Sequence, residues 1–549
     1  MKTIKLVVTH KGQISKKYSD SDLKKIKQAL RALAQKDKTQ GIVTHVVHLD
    51  DESEMSKYGV SAVTGAVSAN KCKKAIDALF VALSPDYLVL LGAGDVIPFF
   101  EVPNPSRKET GDDDEEVLTD NPYASSRNFV KNKRSSYLIP DRVVGRIPDL
   151  PGEHPEVDWL LDYLNWVVSA KPQTSDAFAD DLIVCCDEWK KAGAECVSYL
   201  SRKSNRLMIS PPVKTKAPGP LKNRYKARVH MIKCHGAPID SQFYGQKGEN
   251  NYPPVIHSAL LKGKTVEGSV VGAMCCYGAA TFDPNDPAAV TAGDLPIPSI
   301  YLRQGAYGFY GSTTLAWVGF TDMQCADWIV AGALRLVLNG ASLGRGLLDS
   351  KQNFVKWIEQ QGRTPDLAEE KTLLQFLILG DPSIHLVPSV QTDGPVLASM
   401  ESARAAPAGL LGSAEERRLR RTVAHRTGEQ LTNDLPERKL ISGKKALPKK
   451  LVSNLRKQLC NGKWFKFGKP LVHKIERPFQ QPELRTAAMR GVRAAGARAT
   501  PPIARRETFE YYWIARKKTK NMPVIDARMV KVETDKEGTV LRTRVLVSS

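Results

Sequence analysis

Short continuous apolar runs alternate with amphipathic stretches through the first half of the chain. Ile4–Val8 and Ile42–Leu49 are β-branched runs that flank a stretch of helical periodicity over Leu23–Ala34. A second helical stretch, Cys72–Leu83, precedes the apolar run Tyr87–Gly94. Alternation of this kind predicts a mainly parallel sheet with helices on both faces, an α/β fold. An acidic loop, Gly111–Glu116, then leads through Thr119–Ser125 to Asp141–Asp149 and a helix over Val157–Val168. Beyond Lys171 a new series of strands follows, at Leu182–Cys186, Val229–Cys234, Ser269–Cys275 and Ala306–Ser312. Each ends in small or polar residues, as a buried parallel strand does where it meets its loop edge, and chemistry in open α/β sheets collects at that carboxyl edge. Helices are expected near Ala326–Leu338 and Glu369–Ile378, with Gly380–Val387 as a closing turn and strand.

The chain is too long for one ordinary core. The pattern divides it into an N-terminal α/β subdomain (1–172), a second α/β subdomain (178–392), an Ala-, Gly- and Arg-rich linker (393–425) and a C-terminal region (426–549). Charge sharpens the last boundary. Of the formal net charge of +21, Pro395–Ser549 carries +20, with 34 Lys+Arg against 14 Asp+Glu. The basicity therefore belongs to the C-terminal extension, where Phe509–Ala515 and Val540–Val547 keep enough apolar content for a small fold.

Nine cysteines are odd in number and sparse, and several sit in apolar strands as small hydrophobes, which favours a reducing, cytoplasmic setting. No apolar run reaches the roughly 18–20 residues of a membrane span, so neither a signal peptide nor a transmembrane segment is expected. No C-x-x-C pair and no H-E-x-x-H supports a zinc site, so no metal is expected.

Two strand ends carry candidate chemistry: Lys233-Cys234-His235-Gly236 and Cys275-Cys276-Tyr277-Gly278. A nucleophilic sulfur needs a neighbour that takes its proton, and imidazole suits neutral pH. Were the two strands parallel neighbours, both residues would emerge at one rim, although 41 positions separate them in sequence. Each is closely followed by a glycine, whose backbone lacks a Cβ and lets amide groups point at a developing oxyanion. Either motif by itself more often marks a structural histidine or a packed thiol, and it is their pairing within one α/β unit that points to chemistry.

The Cys276-Tyr277-Gly278 tip is similar to the Cys-x-Gly core of caspases, with a histidine upstream. In order, LLGAGDVIPF, TDNPYAS, DRVVGRIPD, IKCHGAP, AMCCYGA, YGFYGSTTLAWVG and FLILGDPSIHL resemble the gingipain-type cysteine peptidases of the same clan, over Tyr87–Leu386. The resemblance implies a caspase-like α/β fold, peptide-bond cleavage by a Cys/His pair, no cofactor, and preference set mainly by the residue before the scissile bond. In that frame Cys276 attacks, His235 moves the proton, and the amides of Gly236 and Cys276 hold the oxyanion. Cys275 competes for the nucleophile's place, but Cys276 is favoured by its spacing to Gly278. For substrate binding, Asp120 and Asp141 could pair with a basic side chain. They serve equally as an Asx turn and a strand-start cap. Trp317 resembles a groove-wall aromatic and could as well be a core residue. The acidic run Asp112–Glu116 reads as a solvated loop or as a gating or processing segment.

In the C-terminal region, Arg417–Arg421, Gly443–Lys450 and Ala515–Lys520 interleave with Trp464, Phe465, Phe467, Tyr511, Tyr512 and Trp513. Lysine and arginine for phosphates with aromatics for stacking is a nucleic-acid footprint, also compatible with an anionic membrane surface, an acidic protein partner or ordinary solvated charge. Three functions follow: a regulated intracellular peptidase acting on protein substrates, held in check by a partner, a ligand or processing; an inactive caspase-like scaffold with a binding tail; or a nucleic-acid binder with an unrelated hydrolase domain.

Overall fold

The structure, a computed structural model, describes residues 3–106, 112–203, 206–211, 224–248, 250–361, 363–388, 437–441, 471–478, 505–518, 523–535 and 539–549. The apolar runs form strands where their pattern places them. In chain order these are β1 (Thr3–Thr9), β2 (Ile42–His48), β3 (Tyr87–Leu91), β4 (Phe100–Pro103), β5 (Glu116–Thr119) and β6 (Val144–Ile147). There follow β7 (Asp181–Cys186), β8 (Leu207–Ser210), β9 (Val229–Lys233), β10 (Gln242–Tyr244), β11 (Pro254–His257), β12 (Val270–Ala273), β13 (Gly308–Ser312), β14 (Trp317–Gly319) and β15 (Phe376–Gly380). The C-terminal region adds β16 (Glu437–Ile441), β17 (Leu471–Pro478), β18 (Arg505–Lys518), β19 (Ile525–Asp535) and β20 (Val540–Ser548).

Ten strands make one sheet, ordered β2, β1, β3, β6, β15, β13, β12, β9, β7, β8. Every adjacent pair is parallel except β13 and β15, which run antiparallel. The fold is thus α/β, with a large, mostly parallel sheet flanked by helices, consistent with a caspase-like fold. Residues 1–172 and 178–392 share this sheet, because β15 inserts between β6 of the first segment and β13 of the second.

Two local expectations change. Phe376–Ile378, expected as the end of a helix, is strand: the helix Leu367–Gln375 stops there, and Phe376–Gly380 is buried throughout as β15. A continuous apolar run cannot distinguish a buried helix end from a buried strand. The helix Leu343–Gln360, started by the Ser342 side chain accepting from the Arg345 amide, is an addition.

Charged residues pin the sheet from inside. The buried Lys5 of β1 reaches Asp37 at 2.6 Å and Asp381 at 2.7 Å, joining the first strand to the turn after β15. Lys233, the last residue of β9, pairs with Asp327, whose carboxylate also accepts from the Gly319 and Gln324 amides. Buried ions of this kind are stable only when paired and hydrogen-bonded, so they specify which strand ends meet.

The C-terminal strands form a second, wholly antiparallel sheet, ordered β14, β20, β19, β18, β17, β16. Its first member, β14, belongs to the α/β body, so the extension is docked onto that body by main-chain hydrogen bonds. A buried ion cluster holds the same seam: Arg544 bonds Asp366 at 2.6 Å and Glu369 at 2.7 Å, Lys531 bonds Asp366 at 3.0 Å, and Arg363 bonds Glu369. Burial pushes the Asp366 carboxyl up, but Lys531, Arg544 and Arg363 outweigh it and hold it well below its ordinary value. Glu369 is likewise held low, its burial outweighed by Arg363 and Arg544.

The nucleic-acid footprint loses part of its basis here. Tyr511, Tyr512 and Trp513 are buried in β18 and offer no stacking face. Arg417–Arg421, Gly443–Lys450, Trp464, Phe465, Phe467 and the linker 393–425 lie outside the described residues. Among the described residues, no helix is long and apolar enough to cross a membrane.

Removing Arg544 strips two buried carboxylates of a partner. We expect Arg544→Ala to destabilise the docked sheet by about 3–5 kcal/mol, measured as a fall in the denaturation midpoint. The pH dependence has a definite sign. Carboxyls held below their ordinary values of 3.8 and 4.5 supply stability that is complete above those values and drains away as the pH falls towards the lower folded values. Acid titration of the wild type should show this loss below pH 4.5, and Arg544→Ala should flatten it. An equally steep acid limb in the variant would show that the cluster does not hold the seam.

Candidate active site

Cys276 and His235 project from the tips of hydrogen-bonded parallel neighbours. β9 and β12 pair from Val270 with Val229 to Ala273 with Ile232, and the Met274 amide extends the ladder to the Ile232 carbonyl. Both chains then turn at the same rim. The approach is close: a Cβ on Gly236 would lie 2.0 Å from the Cys276 carbonyl oxygen, so only glycine fits beside the cysteine. Tyr277 follows with φ of 54°, a left-handed conformation rare for a bulky residue and characteristic of strained functional turns.

The two adjacent cysteines face different surroundings, as alternation along a strand requires. Cys275 points into the core, its sulfur 3.7 Å from the Ile232 carbonyl, and burial drives its pKa far above the ordinary thiol value. Cys276 turns towards the loop before β14. Its sulfur accepts the Ala316 amide at 3.1 Å, and its thiol faces the Ala316 carbonyl at 3.6 Å. Burial pushes its pKa up to about 12, against smaller opposing effects of the Ala316 amide and Lys371.

His235 is fully buried, edge-on to Trp189 and Tyr252 with ring centroids 4.7 Å and 5.4 Å away. Its protonation is set by a relay reaching into the C-terminal sheet. The Asp526 carboxylate of β19 is acceptor-only; it takes hydrogen bonds from the Gln246 amide nitrogen at 2.8 Å and the Tyr252 hydroxyl at 2.5 Å. The Gln246 amide nitrogen also faces the Tyr252 oxygen and the Gly248 carbonyl, which leaves its Oε1 to meet His235 Nε2 at 2.9 Å. Nε2 therefore carries the proton, and Nδ1, which makes no hydrogen bond, keeps an open lone pair. Burial lowers the His235 pKa despite the nearby Asp526 charge, so the ring is a neutral base.

The acidic run Asp112–Glu116 is not simply a solvated loop. Asp112 is buried against Lys371 at 2.7 Å. Asp114 accepts from Lys371 at 2.7 Å, from the Tyr277 hydroxyl at 2.7 Å and from the Leu315 amide at 2.8 Å. The run thus braces both the turn after Cys276 and the segment that holds its sulfur.

Of the residues considered for substrate binding, Trp317 is fully buried in β14, opposite Ser548 of β20. Asp120 is engaged elsewhere: it forms a two-pronged pair with Arg146, at 2.6 Å and 3.0 Å. Asp141 is used locally, accepting from the Ser126 amide at 2.8 Å and the Ser126 hydroxyl at 2.5 Å. The proposed oxyanion donor, the Cys276 amide, has an occupant: it donates to the Ser549 carbonyl oxygen, and the Ser549 amide donates to the Ala316 carbonyl at 3.1 Å.

Gln246, Asp526, Ser549 and Lys371 were not foreseen from sequence. Gln246 and Asp526 are 280 positions apart, and nothing local announces their contact. A faint signal was the carboxylate at the start of the apolar strand Ile525–Asp535, since a buried strand carries an acid only when it is paired. Among the described residues, no cluster of His, Cys, Asp and Glu could hold a metal ion.

Asp526→Asn gives position 526 a donor as well as an acceptor, so the Gln246 amide can turn and release the tautomer of His235. Imidazole nitrogen NMR should report Nε2–H alone in the wild type, persisting unprotonated below the ordinary pKa of 6.5, and mixed tautomers in the variant. An unchanged single tautomer would disprove the relay. No protein-family model and no curated protein matches this chain.

Proposed function

We propose that the chain is a cysteine endopeptidase with Cys276 as nucleophile and His235 as its proton carrier. The observation that carries this reading is that neighbouring parallel strands bring a thiol and a neutral imidazole, its Nδ1 open and its Nε2 held by Gln246, to the same rim of the sheet. For attack, the thiol turns from Ala316 towards Nδ1 and gives up its proton. The thiolate bonds to the substrate carbonyl carbon, and the oxyanion lies on the Cys276 amide. His235 then protonates the leaving nitrogen as the carbon–nitrogen bond breaks. Water, deprotonated by the same ring, hydrolyses the thioester and restores the thiol, so protons and electron pairs balance without a cofactor.

A second reading has its own support. Cys276 is 3% exposed, His235 is fully buried, and a pKa near 12 leaves the thiol protonated, as in a caspase-like scaffold whose site is sealed. A cytoplasmic setting and an activating protein partner remain part of the peptidase reading, on the grounds of cysteine usage and the need for restraint.

Hydrolysis of a fluorogenic peptide pool separates the two. The peptidase reading expects cleavage that falls by at least about 10³-fold in Cys276→Ala and about 10²-fold in His235→Ala, while Cys275→Ala stays near wild type. Cleavage that survives in Cys276→Ala moves the nucleophile elsewhere. Its absence from both the full chain and a variant lacking residues 547–549 leaves the scaffold.

A further inference from the structure

The strand that covers the candidate nucleophile is the chain's own. β20 runs antiparallel to β14, with Leu546 opposite Gly319, Val547 opposite Val318 and Ser548 opposite Trp317. The next residue, Ser549, continues the ladder by donating its amide to Ala316, and its carbonyl oxygen accepts the Cys276 amide. An extended chain whose Ser549 main-chain oxygen rests on the amide of the candidate nucleophile is bound as a substrate is bound on the acyl side of its scissile bond. We propose that Leu546–Ser549 occupies the peptide-binding groove in cis, and that the groove takes an extended polypeptide with a small, uncharged residue next to the cleaved bond. This inference rests on the peptidase reading for its second half only.

The register carries the specificity. Ser549 is fully buried and its hydroxyl makes no hydrogen bond, so its subsite is closed around a small side chain and supplies no polar partner. A basic side chain there would need a carboxylate, and the acids considered for that role are already engaged. Asp120 is committed to Arg146, Asp141 to Ser126, and Asp112 and Asp114 to Lys371. Burying an unpaired lysine or arginine would be strongly unfavourable. Farther along, Val547 and Leu546 are buried at 1% exposure, so the groove also favours aliphatic residues in the two positions before the serine pair.

The seat is held apart from Cys276 as well. The Ser548 hydroxyl donates to the Ile525 carbonyl at 2.6 Å and accepts the Ala527 amide at 2.7 Å, clamping the end of β20 to β19. Occupancy is thus a property of the sheet, and it explains why a rim suited to chemistry is closed to solvent.

Two measurements on the full chain test this. The first is the rate at which iodoacetamide alkylates Cys276, read by mass spectrometry of the peptide that carries it. Removal of residues 547–549 is expected to raise the rate at least tenfold, and so is Ser549→Trp, which keeps β20 but cannot fit the closed subsite. Unchanged alkylation in both variants, with unchanged far-ultraviolet dichroism, would overturn the proposal. The second compares fluorogenic peptides ending in Val-Leu-Val-Ser-Ser with the same peptides bearing Arg or Asp at the last position, using the variant lacking 547–549. Preference for Ser, Ala or Gly by tenfold or more is expected, and preference for Arg or Asp would refute the register. Faster alkylation with no cleavage of any peptide would uphold the cis occupancy while removing the peptidase reading.

Discussion

The antiparallel pairing of β14 with β20 is the contact on which the rest of the molecule's behaviour turns. β14 leaves the α/β body just after the residues that hold the Cys276 sulfur, and without β20 it would be an open strand edge beside that cysteine. Unpaired edges recruit strands, and here the recruit comes from the same chain. The pairing removes water from the rim, and loss of water raises the thiol's pKa. With the value near 12, the group stays a thiol at neutral pH. The pairing that places β20 thus also keeps the sulfur protonated.

Electrostatics fixes the register that this pairing needs. A three-residue strand such as β14 carries too few main-chain bonds to select its partner's alignment, and a slip by one residue would reverse every side chain of β20. The buried cations of the docked sheet prevent that slip. Arg544 and Lys531 lie on neighbouring strands, directly paired in the ladder, and converge on Asp366. A displaced strand would leave Asp366 and Glu369 charged and unpaired in a dry seam. Similar logic holds β9: Lys233 is tied to Asp327, and the Trp189 indole donates to the Lys233 carbonyl, so the residue two places before His235 is fixed from both ends.

How much of this was legible follows from the range of the interactions. Strands such as Tyr87–Leu91 and Asp181–Cys186 show in the sequence because burial on both faces leaves a continuous apolar run. The shared rim of Cys276 and His235 was legible too, since each stands directly after such a run. What escaped was everything that depends on which distant element packs against the rim. Asp112 and Asp114 look solvated in a run of five acids, and only Lys371, more than 250 positions later, makes them interior. In the C-terminal region, charge alone separates no reading from another. A balance of +20 suggests a solvated or polyanion-binding face, and part of it, Arg544, Lys531 and Arg528, is buried or nearly so, each against a carboxylate of the body. Composition counts charges without their partners, so it cannot separate a binding surface from a docking seam.

The docked sheet acts on the rim in two opposite senses, and the two are carried by adjacent strands. β19 supplies Asp526, which through Gln246 keeps the imidazole in the tautomer a base requires. β20 supplies Ser549, which keeps the rim filled. Between them stands the Ser548 hydroxyl, bonded to the main chain on either side of Asp526. Loss of the whole extension would uncover Cys276 and at the same stroke release His235 from its orienting chain, giving an open rim with an unoriented imidazole. Opening without loss of the base therefore requires the last residues of β20 to leave while β19 stays, a local fraying at a strand end rather than the departure of a domain. Strand ends are where such local openings are least costly. The ion cluster lies several residues further back, at Arg544, so it resists separation of the two sheets without resisting that final lift.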